Sequence, residues 1–309
     1  MKIAFVFPGQ GSQHVGMGKD LYENFTEVKE IYKEASETLG YDIGKLSFSG
    51  PQEELNKTFR TQPCLLAASA ASFRVLSLKG ITPFCMAGHS LGEYSAVVAS
   101  GVISLKDALR VTEKRGQYMQ EAVPEGKGLM AAILGLAKEE VENICHSVSS
   151  GYVSAANYNC PGQIVIAGEK GAVEEAIELA KEAGARRAVV LSVSAPSHCK
   201  LMTGAAERLS ELLNTIEFRA PQIPIVNNAD AAFLNNPEEI KASLVRQLNT
   251  PLLWEDSIRQ MLKNDVTTFI EVGPGKILSA IIKKIDKDVK TLNVEDIKSL
   301  EETLNTLNG

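Results

Sequence analysis

The stretch Ile81-Thr82-Pro83-Phe84-Cys85-Met86-Ala87-Gly88-His89-Ser90-Leu91-Gly92-Glu93-Tyr94 carries a short apolar run into Gly-x-Ser-x-Gly and then straight into a helical pattern. The order predicted is strand, tight turn, helix. A serine at such a turn has its hydroxyl lifted off the end of the sheet, and Gly88 and Gly92 stand where any side chain would meet neighbouring backbone. Ser90 is therefore a candidate nucleophile. The backbone N–H of Leu91 falls at the N-terminus of the following helix, where the dipole and the unpaired donors favour an anion. The bland alternative is a glycine-rich strand-to-helix turn that happens to hold a serine. Strand and helix nevertheless fall where the mechanics of the motif require them.

Outward from this stretch, 309 residues with 44% hydrophobic composition are enough for one large core, or one domain carrying a smaller one. A formal net charge of −6 and a pI near 5.5 argue against a nucleic-acid or anionic-membrane surface. The apolar start, Met1 to Phe7, is cut short by Pro8 and does not read as a signal peptide; no run approaches the roughly 20 apolar residues of a membrane span. A cytoplasmic protein is expected. Five cysteines, at 64, 85, 145, 160 and 199, include no C-x-x-C and read as reduced thiols, with neither a disulfide frame nor a metal site.

In chain order, residues 2–7 suit a buried parallel strand, and Pro8-Gly9-Gln10-Gly11-Ser12-Gln13 follows as a loop. A dinucleotide fingerprint fails there, because His14 stands where the third glycine belongs; the phosphate-loop lysine is also missing. What remains is a loop with exposed backbone N–H groups at the carboxyl end of a strand, and Gln10 is a candidate ligand contact. Helical patterns run through 18–39, from Gln62-Pro63 to Leu78, and through 104–123 with Ser104 as N-cap. Arg115 lies on the edge of the apolar face of the last of these, where it is expected to meet a carboxylate, a structural ion pair being the plain alternative. The rhythm changes at Pro124-Glu125-Gly126-Lys127-Gly128. A strand (129–134), a helix (138–148), strands at 152–157 and 163–167, a helix (171–183) and a strand (187–194) then make the order βαββαβ, a ferredoxin-like unit. The fold predicted is α/β, with a discontinuous large domain (1–124 and 196–309) and an inserted ferredoxin-like small domain (125–195). The large domain resumes with helices at 198–214, 237–247 and 254–264, strands at 223–227, 267–272 and 289–294, and helices at 276–285 and from 296.

A serine nucleophile needs a general base, and the chain holds four histidines. His89 precedes the serine on the elbow and should point away from it. His146 sits on the polar side of a helix. His14 either lines the site or meets solvent. His198, in Ala195-Pro196-Ser197-His198-Cys199, stands where the inserted unit returns to the large domain and a cleft should form. It is the favoured base. No acid stands after it in the place a hydrolase triad would need, since that order is Ser, acid, His.

Taken together, Phe7-Pro8-Gly9-Gln10-Gly11-Ser12-Gln13, Gly88-His89-Ser90-Leu91-Gly92-Glu93, Lys114-Arg115-Gly116, Pro196-Ser197-His198, Gln247-Leu248 and Glu271-Val272-Gly273-Pro274-Gly275 resemble the bacterial malonyl-CoA:acyl carrier protein transacylases, in that family's order from end to end. The resemblance implies an α/β-hydrolase-like large domain and a ping-pong transfer without a cofactor. Ser90 would take malonyl from malonyl-CoA, with His198 as base, and hand it to the phosphopantetheine thiol of acyl carrier protein. It further implies an oxyanion hole from the N–H groups of Leu91 and Gln10, a carboxylate clamp at Arg115, and a backbone carbonyl at Gln247 orienting His198 in place of an acid. Selection of malonyl over methylmalonyl would lie in Ala195-Pro196-Ser197. A serine hydrolase, a non-catalytic carrier-docking module and a polyketide acyltransferase acting in trans are the competing readings. Carrier proteins are acidic, so Lys181, Arg186, Arg187 and Lys283-Lys284 are docking candidates, with surface solvation as the alternative.

Overall fold

The first strand shows why its sequence is apolar throughout. In β1 (Lys2–Phe7), Phe5 and Phe7 enter one hydrophobic core and Ala4 and Val6 another, all four fully buried. A strand covered on both faces has no polar side to present. The computed structural model describes residues 2–124, 126–191 and 195–308. The expected boundary residue Glu125 and the end of the expected 187–194 strand, Ser192-Val193-Ser194, lie outside them.

From β1 the chain passes through α1 (Lys19–Asn24), α2 (Thr26–Leu39), α3 (Ile43–Ser49), α4 (Gln52–Leu55) and α5 (Thr58–Leu78) to β2 (Cys85–Gly88), α6 (Gly92–Ala99) and α7 (Leu105–Ala122). Next come β3 (Gly128–Leu134), α8 (Lys138–Ser147), β4 (Val153–Cys160), β5 (Gln163–Glu169), α9 (Lys170–Glu182) and β6 (Arg187–Val190). The remainder is α10 (Thr203–Leu213), β7 (Ile225–Val226), β8 (Phe233–Leu234), α11 (Pro237–Asn249), α12 (Trp254–Lys263), β9 (Val266–Val272), α13 (Ile277–Ile285), β10 (Lys290–Val294) and α14 (Ile297–Asn308).

Two sheets result. One runs β10-β9-β1-β2-β7-β8 and is parallel except where β8 turns back on β7. The other runs β4-β5-β3-β6, is antiparallel throughout, and buries its own core with α8 and α9, including Ile133, Ile166, Val173 and Ile177. Backbone bonds from Tyr158 N–H to the Leu252 carbonyl and from Leu252 N–H to the Ala156 carbonyl join β4 to the chain ahead of α12. In the larger sheet, β2 lies on one side of β1 and β9 on the other, so the loops leaving β1 and β2 open at a switch in strand order. Ligands of open α/β sheets bind at such a place.

Several elements differ from the sequence-based expectation. The helix expected over 18–39 is two, parted at Phe25, whose backbone is extended (φ −125°, ψ 126°). The helix expected after Pro63 begins at Thr58 and carries Pro63 inside it, buried; neighbouring packing outweighs the backbone bond that proline cannot make to Phe59. Asn157 to Cys160 continue β4, leaving Pro161-Gly162 as the turn, with register shifts that let the strand bend. Ahead of α10 the chain is a short 3-10 turn (Lys200–Met202) and not α-helix, and β7 is only two residues long. The short α3, α4 and β8 have too little periodicity to be read from sequence.

Candidate active site

Between β2 and α6 the elbow is held by close backbone contact. A Cβ on Gly88 would lie 1.9 Å from the Gly92 carbonyl carbon, and one on Gly92 would lie 2.0 Å from the Phe7 carbonyl oxygen. Nothing larger than glycine fits at either position. The turn puts Ser90 at φ +53°, a left-handed conformation that non-glycine residues seldom adopt, and the surrounding bonds maintain it. Its N–H donates to Asn228 Oδ1 (2.8 Å), and its carbonyl accepts from Gln247 Nε2 (3.0 Å).

His198, also left-handed at φ +61°, is pinned by its N–H to the Leu248 carbonyl (3.0 Å). Its Nε2 lies 2.8 Å from Ser90 Oγ, and its Nδ1 is 2.6 Å from the Gln247 carbonyl oxygen. A carbonyl can only accept, so the proton sits on Nδ1 and the Nε2 lone pair faces the serine hydroxyl. Burial, then the Arg115 charge, push the His198 pKa down to about 3, against the pull of the Gln247 carbonyl. The buried imidazole is neutral and its Nε2 is able to accept a proton.

Arg115 is not at the edge of its helix face but fully buried. Its Nη1 donates to Gln62 Oε1 (2.9 Å), and its Nη2 donates to Gln247 Oε1 (3.0 Å) and to Ser90 Oγ (3.3 Å). Nε has no acceptor among the described residues. The alternative of a structural ion pair is not met among the described residues: the guanidinium is clasped by two neutral amide oxygens, with donors to spare. Burial lowers its pKa, with Tyr94 and Glu93 opposing. Gln10, after β1, takes a bond from Gln62 Nε2 (3.3 Å) and gives one to Thr58 Oγ1 (3.4 Å). Neither the Gln10 nor the Leu91 N–H meets a protein acceptor among the described residues. A cavity of about 80 Å³ has Gln10, Ser90, Met119, Met130, Asn157 and His198 in its wall.

Ser90, His198 and Gln10 thus share one cavity, with Arg115, Leu91 and the Gln247 carbonyl buried directly behind it. The other histidines do not join the pair: His14 and His146 are exposed, and His89 Nε2 pairs with Asn159 Oδ1 (2.8 Å) while its ring packs edge-on to Trp254. Burial lowers the His89 pKa, with Asn159 opposing. Sequence reasoning missed Gln62, Asn228, Asn159 and the part played by Glu93. Glu93 is fully buried beside the serine, its Oε2 accepting from Gln247 Nε2 (2.8 Å) and Asn228 N–H (3.0 Å); burial raises its pKa to about 7 despite those bonds. The signal available for Asn228 was its place just beyond a strand end; for Glu93 it was a charge inside an otherwise apolar helix start.

A model of the acyl transferase domain matches residues 4–302. Among characterised relatives, the malonyl CoA-acyl carrier protein transacylase of Bacillus subtilis (strain 168) is 47% identical over 99% of this chain and 97% of its own. The chain belongs to this transacylase family. Two solved members superpose along the whole fold. The Vibrio cholerae acyl carrier protein S-malonyltransferase has a TM-score of 0.96 at 51% identity, covering 98% of this chain and 100% of that one. A malonyl-transacylase in complex with its holo type II PKS acyl-carrier protein has a TM-score of 0.97 at 49% identity, covering 99% and 100%. No helix among the described residues is long and apolar enough to cross a membrane.

Proposed function

We propose that the protein transfers malonyl from malonyl-CoA to the phosphopantetheine thiol of acyl carrier protein through a malonyl-Ser90 intermediate, supplying extender units for fatty-acid synthesis. The observation that carries this reading is the buried Arg115 guanidinium, 3.3 Å from the nucleophile and lacking a carboxylate partner among the described residues. A site built for a neutral acyl group would have no use for a buried cation beside its serine without a carboxylate in direct contact.

The chemistry follows from the atoms. As Ser90 Oγ attacks the thioester carbonyl, its proton passes to His198 Nε2; the developing oxyanion takes hydrogen bonds from the Leu91 and Gln10 N–H groups. Collapse of the tetrahedral adduct breaks the C–S bond, and the coenzyme A thiolate takes the proton from His198. The carrier's thiol then gives its proton to His198 and attacks the malonyl ester. Ser90 leaves and recovers that proton. Throughout, the Gln247 carbonyl holds the tautomer, and Arg115 meets the free carboxylate of malonyl as a two-toothed clamp. No cofactor enters any step.

The domain reading rests on the parallel sheet with the elbow at its switch, which supports an α/β-hydrolase-like domain from 1–124 and 196–309, and on the βαββαβ antiparallel unit, which supports a ferredoxin-like insertion over 125–195. The relative solved with its carrier protein supports acyl carrier protein as partner. Exposed Lys181, Arg186 and Arg187, with Lys283-Lys284 on α13, remain docking candidates. Cytoplasmic location is supported by the five free cysteines, four of them buried.

The test is intact-protein mass after brief mixing with malonyl-CoA, for wild type and Ser90→Ala. A malonyl adduct that needs Ser90 and discharges onto holo acyl carrier protein supports the transferase. An adduct that drains only to water indicates a hydrolase, and no adduct indicates a binding module.

A further inference from the structure

We infer that Glu93 is a positioning residue: by fixing which way the Gln247 side-chain amide faces, it holds Arg115 in register with the Ser90–His198 pair, and so sets the preference for a carboxylated acyl group. This rests on the transfer reading above. Gln247 bonds through three groups. Its Nε2 donates to Glu93 Oε2 (2.8 Å) and to the Ser90 carbonyl (3.0 Å), its Oε1 accepts from Arg115 Nη2 (3.0 Å), and its backbone oxygen accepts from His198 Nδ1 (2.6 Å). Only one amide orientation satisfies this arrangement, because a flip would aim the NH2 group at the guanidinium and the oxygen at two acceptors. The Ser90 carbonyl alone is a single acceptor, and the Glu93 oxygen, as the second, is what makes the flipped state costly. The same Oε2 also takes the Asn228 N–H (3.0 Å), and Asn228 Oδ1 in turn receives the Ser90 N–H (2.8 Å). One buried oxygen thereby braces both the nucleophile's backbone and the arginine's clasp.

The charges facing Glu93 are Arg115 from α7 and Asp230 from the loop after β7, with the Tyr94 hydroxyl on its own helix. Arg115 is the only cation among these, and it reaches Glu93 through Gln247. Because both bonds fall on one oxygen, a neutral amide at 93 can keep them, whereas aspartate keeps the charge but is one methylene too short.

The experiment compares rates of Ser90 acylation by malonyl-CoA and acetyl-CoA, by intact mass, for wild type, Glu93→Gln, Glu93→Asp and Glu93→Ala. We expect Glu93→Gln to retain the malonyl-to-acetyl preference to within about threefold, and Glu93→Ala and Glu93→Asp to lose about tenfold or more, as the clasp of Arg115 loosens. A merely structural role would slow both thioesters alike and leave the ratio unchanged, which would overturn the inference. So would a Glu93→Asp enzyme that keeps the ratio where Glu93→Gln loses it. If Glu93→Ala does not fold, the Asp and Gln variants still decide. Failure of the wild type to form a malonyl adduct would instead sink the transfer reading itself.

Discussion

Replacing Arg115 by leucine removes the guanidinium and keeps an apolar side chain in its buried slot. In the resting site its two Nη groups donate to neutral amide oxygens at 2.9 and 3.0 Å. Malonyl would exchange those for an ionised acceptor. The resting bonds already have one ionised partner, and a carboxylate makes both ionised; breaking a buried hydrogen-bonded charge pair costs about 2–5 kcal/mol, and with two amide oxygens left to hold the guanidinium the lower part of that range, about 2–3 kcal/mol, applies. The guanidinium is already buried in the resting protein, so most of its own desolvation precedes the arrival of the ligand. At 1.36 kcal/mol per decade, Arg115→Leu should lower the malonyl-to-acetyl ratio of acylation rates roughly 30- to 150-fold. Acetyl acylation should fall little, since the methyl group gains an apolar wall. The assay is the second-order rate of adduct formation on Ser90 with each thioester, with thermal melting as a check on folding, because Gln62 and Gln247 each lose a donor. A folded variant whose ratio moved by less than about threefold would refute the carboxylate clamp.

The depressed His198 pKa of about 3 should leave acylation flat from mildly alkaline pH down to about 5, with an acid limb well below the ordinary histidine value; protonation blocks the base, so lowering the pKa moves the limb to lower pH. A limb near 6.5 in stopped-flow acylation would contradict a desolvated imidazole. Glu93 carries the opposite sign for stability: its pKa is raised from 4.5 to about 7 in the fold, so stability present below about 4.5 is lost as pH rises through about 7. Urea midpoints of Glu93→Gln should therefore gain on wild type across that window, and parallel curves would count against it. Gly92→Ala would set a methyl 2.0 Å from the Phe7 carbonyl oxygen and should cost about 3 kcal/mol or more along with the Ser90 adduct, read by denaturation and mass. Lys284→Glu should raise the apparent KM for acyl carrier protein several-fold and leave that for malonyl-CoA unchanged; equal changes in both would remove Lys284 from the docking surface.

Sequence alone determined those parts that local physics dictates. The elbow is legible because its glycines are demanded within five residues, where a Cβ at 88 or 92 would meet backbone. The strands are legible because burial on both faces leaves an unbroken apolar run, as in β1. The βαββαβ order appears in periodicity, since each element is long enough to show its repeat. Ser90 and Leu91 follow from the elbow itself. His198 emerged by elimination among four histidines; Gln10 was marked by its loop and Arg115 by its place on a helix face, while their specific roles, and Gln247 altogether, came from resemblance to the transacylases.

Tertiary structure decided what depends on atoms far apart in the chain. That Arg115 is clasped by Gln62 and Gln247 and not by a carboxylate brings together residues 53 and 132 positions away, beyond the reach of any local pattern. Pro63 sits inside a helix because packing outweighs the one backbone bond it forgoes. Glu93 looks in sequence like an ordinary helix-start acid, favoured there by the dipole. Only the arrival of Asn228 and Gln247 from distant elements buries it and sets its single oxygen against two donors. A hydrogen bond needs two partners within about 3 Å, and sequence names the partners without their separation.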